Sequence, residues 1–337
     1  MLSIRELRDR AVIRPIKRAV EDQLLDLDGV TAVDIGEQRT AGQSTGKQVI
    51  VVSVEQKKPL GELPPGDVVP TDVLGIPVDV IEETPALRHL HRGIDEPMTL
   101  RGRQSELGGT VVGGSGVAPS RSVYLPEPEG GAAGRYRRIG TLGVLVAGYE
   151  PAMVTMGLTT FDVACLDDGW SVGDRMVDPD AGHVYADLAR AALSGRVDAA
   201  AVSLVPGVEY SYRIAGVGAV TGQSAAYPGE CVRKSGYGTR LTAGTVVSTD
   251  ASLRVDHGEA LGVRVLREQL RIDALFPNSR FGGPGDAGAA VVNADGRVLG
   301  LLVAGSRGGF TGFACPIANV LAELDVELCV ASQSLPV

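Results

Sequence analysis

From residue 138 onward the chain breaks its apolar runs with Gly, Pro or Asp every ten residues or so, which is the spacing of many short strands joined by tight turns. That pattern suits a barrel or sandwich better than a helical bundle. Strands are predicted at 140–146, 152–155, 198–204, 217–221, 231–236, 241–248, 271–275, 289–292 and 298–304. Helices are predicted at 317–324, opened by Pro316 where a helix tolerates proline, and at 184–193. The 45 Gly, 19 Pro and 4% aromatics suit the same β-rich reading.

The N-terminal part differs in character and reads as a small α+β unit. Ile4, Leu7, Val12, Ile16, Val20 and Leu24 lie near one helical stripe, interrupted by Pro15 and ended near Gly29. Strands at 30–36 and 48–55 flank a Gly/Ser/Thr turn at 41–46 and read as a hairpin, with a further strand at 75–82. Three prolines between 57 and 65 exclude regular structure there. Residues 83–103 are polar and read as a linker, with His89 and His91 a solvated pair. The run 126–134 reads as a surface loop. The 337 residues therefore divide into an extension over 1–100, a first unit over 101–209 and a second over 210–330.

A formal charge of -9 argues against nucleic acid or an anionic membrane as partner. No window reaches the roughly 18 unbroken apolar residues of a membrane span, and residues 1–23 lack a leader's apolar core. Cys165, Cys231, Cys315 and Cys329 have no CxxC spacing and sit among apolar residues, so buried free thiols are expected, and with them a cytoplasmic setting. Nothing in the sequence calls for a cofactor or a metal.

The informative stretch is Gly283-Pro284-Gly285-Asp286-Ala287-Gly288-Ala289. Alone it could be an ordinary turn. It resembles the G-D-S-G nucleophile loop of trypsin-like serine peptidases, with Ala287 in place of the serine. Residues 231–246, with Lys234, Gly236, Thr239, Thr242 and Gly244, resemble the V-x-K-x-G-x-x-T-x-x-T-x-G-x-V segment that begins the second barrel in bacterial members. Residues 140–146 resemble the strand before the histidine motif, 173–179 the turn after it, and 197–202 the strand that supplies the aspartate. The segments around 51–59, 62–64 and 75–81 resemble the extension found in the plant narrow-leaf proteins and their bacterial relatives.

The resemblance implies a double β-barrel trypsin-like fold with a small N-terminal α+β domain. It implies Asp198 as the surviving acid, Leu158, or alternatively Thr159, at the base position, and Ala287 at the nucleophile position. Gly285, Asp286 and Ala287 would form the relic oxyanion hole, with Phe281 and Gly305 at the primary pocket. Asp198 could equally be a turn-capping carboxylate. His89, His91, His183 and His257 fall outside the base motif. Without the imidazole and the hydroxyl, acyl transfer has neither proton acceptor nor nucleophile. The expectation is an inactive peptidase homologue that binds a peptide or protein, or builds a homo-oligomeric assembly. The alternative is a hydrolase using Ser235, Thr159 or Cys165.

Overall fold

The computed structural model describes residues 3–40, 43–94, 109–126, 132–149, 153–276 and 279–331. The Ile4 and Leu7 side chains, part of the 41–46 turn, the far end of the 83–103 linker and most of the 126–134 loop lie outside the described residues.

The molecule is mainly β and built around two barrels. In the second, strands Cys231–Gly236, Arg240–Asp256, Val263–Ala274, Thr311–Pro316, Arg297–Ser306 and Ala290–Asn293 pair antiparallel in that order, and the last returns to the first. Closure removes the exposed edges that would invite aggregation. Val232, Val246, Ile272, Phe281, Val291 and Leu302 fill part of its interior.

The first barrel curls through Leu145–Gly148, Val154–Thr159, Asp198–Leu204, Val184–Leu193, Arg175–Val177, Ser115–Pro119 and Gly134–Leu142. Backbone bonds from Gly143 N to Leu158 O (2.8 Å) and from Leu158 N to Val144 O (2.9 Å) draw its ends together. Residues 184–193, expected as a helix, form a strand. Their Ala and Leu content favours helix locally, but pairing with Asp198–Leu204 along most of their length, through one bulge near Leu188 and Arg190, overrides that preference.

The helix Ile4–Leu25 opens with a capping box, Ser3 and Glu6 satisfying each other's backbone amides. It runs through Pro15 without stopping, against the expected interruption. Its stripe is also rotated: Ile13, Leu24 and Leu25 are buried while Val12 is exposed. The polar groups between them explain the turn of the helix. Lys17 pairs with Glu21, both bond to Ser252 at 2.6 Å, and Arg14 grips Asp250, so this face docks on the long strand Arg240–Asp256. The hairpin Val30–Thr40 and Gln43–Val54 joins the same strand at Ala32–Leu253 and Val33–Ser252 and carries Ile76–Glu82 in parallel on its other side.

All four cysteines are free; Cys165 and Cys315 are buried, but Cys231 is exposed at the start of its strand. Among the described residues no helix is long and apolar enough to cross a membrane.

Candidate functional site between the barrels

The loop Gly283–Gly288 owes its shape to two glycines with φ near +93° and +92°, Gly285 and Gly288. Only a residue without Cβ adopts that backbone cheaply. Asp286 fixes the rest from inside. Its fully buried carboxylate receives Lys234 at 2.9 Å, the amides of Gly238, Thr239 and Gly283 at 2.9–3.0 Å, and the Thr239 hydroxyl at 2.6 Å. The spacing of Lys234, Gly236, Gly238 and Thr239 thus has a physical reason. A cation and a hydroxyl are needed around one buried acid, and glycines are needed where any Cβ would strike it or its loop.

Gly285 N and Ala287 N point at one spot. That spot is filled by the carbonyl oxygen of Arg88, at 2.6 Å and 3.1 Å. The amide of Asp286 does not join them; it bonds to Gly283 O. The supposed linker after Glu83 is therefore a strap laid through the interbarrel groove. Pro85–Leu87 pairs antiparallel with Ala304–Ser306 of the second barrel, and Arg88 N donates to Val303 O at 3.2 Å. Beyond Arg88 the strap changes barrels, and Leu90–Gly93 pairs antiparallel with Tyr136–Ile139 of the first. The Arg88 side chain is buried against Gly305 and reaches Ser306 O. A Cβ on Gly305 would come within 2.6 Å of the Thr311 carbonyl oxygen and 2.7 Å of the Arg88 Nε, so glycine is required there.

Next to this crossing lie two linked His–Asp pairs. His89 Nδ1 is 2.6 Å from Asp162 Oδ2, and His257 Nε2 is 2.8 Å from Asp198 Oδ2. The Asp162 amide donates to Asp198 Oδ1 at 3.3 Å, joining the pairs. Arg138 adds a 2.8 Å ion pair to Asp162 and also binds its carbonyl and that of Leu166, clamping the short helix Phe161–Cys165 that Thr160 caps. Burial opposes ionisation of Asp162, but the charges of His89 and Arg138 and the hydrogen bond to His89 hold its carboxyl well below the usual range. Burial alone would lower His257, yet the bond and charge of Asp198 push it up. His91, beside His89 and across from Arg138, is pushed down to about 3 by burial and those positive neighbours. His89 and His91 are thus part of the groove rather than a solvated pair, and His257 is buried in the loop after Arg240–Asp256. Among the described residues no imidazole is hydrogen-bonded to a hydroxyl or thiol.

Leu158 is fully buried. It lies in a core cluster with Ala199, Ala201 and Cys315, because its strand alternation turns it inward. Ala287 lies instead with Phe161, Val163 and Leu142 in the adjoining cluster, so the residue flanked by Ala287's neighbours is Asp162. Thr159 Oγ1 is buried without a partner and faces Gly288, Ser235 is buried, and burial raises the Cys165 thiol well above its ordinary value. Phe281 is fully buried between Gly244 and Gly312, where a Cβ on either would strike its ring. Sequence reasoning passed over Asp162, Arg138 and Arg88, and set His89 aside as solvated. The available signal was Asp162 itself, a lone carboxylate in the apolar run 156–166, which burial would oblige to find partners.

No protein-family model and no curated protein matches the chain. Among the solved structures it is similar to are three proteases. Thermobifida fusca Protease A has 20% identity and a TM-score of 0.46, over 66% of this chain and 100% of that one. Cellulomonas bogoriensis chymotrypsin has 21% and 0.45, over 66% and 100%. Nocardiopsis protease (NAPase) has 18% and 0.46, over 65% and 98%.

Proposed function

We propose that the protein is a catalytically silent homologue of trypsin-like serine peptidases that keeps the strand-binding half of the old machinery as a peptide-binding or assembly module. The reading rests above all on the pair of amides at Gly285 and Ala287 that grip a peptide carbonyl beside a methyl group. Such donors stabilise an oxyanion in a working site, but here no side chain at 287 can form the acyl bond. In this reading Asp162, not Leu158, stands where the base would be. A carboxylate whose pKa is depressed and which is tied to Arg138 is a poor acceptor for a hydroxyl proton. Binding by strand addition needs neither group, since backbone pairing supplies affinity and pockets supply selectivity.

The test is turnover. Purified protein incubated with a fluorophosphonate probe and with a pool of fluorogenic peptides is expected to show no label and no hydrolysis. Label mapping to Ser235 or Thr159, or hydrolysis that co-purifies with the chain through successive columns, would refute the proposal.

A further inference from the structure

The groove is already filled, and by a segment of this chain. We propose that Pro85–His89 is a resident substrate mimic that closes the groove in cis, and that the partner it excludes is an extended peptide segment of another polypeptide. That peptide would follow the same backbone course, with an unbranched basic side chain in the place of Arg88. This rests on the reading of the groove as a strand-binding site and adds its regulation.

Three observations carry it. First, the strap makes the contacts an incoming strand would make: antiparallel pairing to Ala304–Ser306, an amide bond to Val303 O, a carbonyl between the Gly285 and Ala287 amides, and pairing to the opposite barrel beyond His89. Second, those contacts are all main-chain, so another sequence can reproduce them; the strap's side chains add the His89–Asp162 pair and the Arg88 bond to Ser306 O. Third, the Arg88 side chain fits imperfectly, although His89 is well seated on Asp162. The buried Arg88 Nε has no partner, its guanidinium bonds a carbonyl rather than a carboxylate, and burial opposes its charge more than the nearby Asp286 supports it. An unsatisfied buried donor weakens the docked state, which leaves the strap displaceable by a competitor that fits as well or better.

The experiment uses the full chain and a fluorescein-labelled peptide with the sequence of residues 84–91, Thr-Pro-Ala-Leu-Arg-His-Leu-His. Binding is read by anisotropy, and strap docking by hydrogen exchange over 85–91 and 283–289. Arg88→Pro removes the amide donated to Val303 O and the buried guanidinium together. In the unaltered protein both segments should be protected and the peptide should bind weakly. In Arg88→Pro protection should fall at both and affinity should rise at least tenfold. Equal affinity for the two proteins would overturn the gating while leaving the groove reading intact. A deprotected Arg88→Pro protein that binds no peptide would overturn both. Should Arg88→Pro fail to fold, saturating peptide added to the unaltered protein decides: faster exchange over 85–91 supports displacement, and unchanged exchange defeats it.

Discussion

At the scale of single residues, the buried charges beside the groove have a structural role. Lys234 and Asp286 are both fully buried and hold the 283–288 loop in the shape that aims the Gly285 and Ala287 amides. Removing one member of such a pair leaves the other uncompensated, so Lys234→Met should destabilise the protein by about 3–5 kcal/mol. Asp286 keeps three backbone amides and a hydroxyl, which argues for the lower end of that range. Urea unfolding measures it, and a loss under 1 kcal/mol would mean the pair behaves like a surface one. Gly288→Ala tests the backbone rather than the charge. Its positive φ and the nearness of Thr159 leave no room for a methyl, so a cost of roughly 1–3 kcal/mol is expected by the same measurement.

At the scale of elements, the strap should respond to acid. His91 ionises near 6.5 when free and only near 3 when docked, so between these values an undocked strap binds a proton that the docked strap does not. Docking is therefore at full strength above about 6.5 and is lost as pH falls toward 3. The groups facing His91 are His89, Arg138, the Tyr136 ring and Asp162, of which only Asp162 attracts a proton to it. Protection factors over 85–91, corrected for intrinsic exchange, should drop across that window, and His91→Gln should flatten the drop. The strap also marks where sequence reading stops. The 283–288 loop and the Lys234 segment were legible as a resemblance to trypsin-like peptidases, and the buried Asp286 gives the Lys, Gly and Thr spacing a physical reason. The strap was not, because its role comes from pairing with strands more than two hundred residues away on one side and about forty-five on the other. Its own polar composition describes a linker equally well. The misread 184–193 segment is a similar case, an Ala-rich run whose local preference loses to its partner strand.

At the scale of the whole molecule, the N-terminal unit and the second barrel share one 17-residue strand, Arg240–Asp256. That strand closes the barrel, pairs with the hairpin at Ala32 and Val33, and receives the helix through Lys17, Glu21 and Arg14. Calorimetry should accordingly show the two melting in a single transition, and a separate early transition removed by deleting residues 1–54 would contradict this. The same chain then passes from one barrel to the other through Arg88. A load that pries the halves apart would travel along that lacing before it reached any barrel ladder, so the two lobes cannot hinge freely about the groove while the lace is seated.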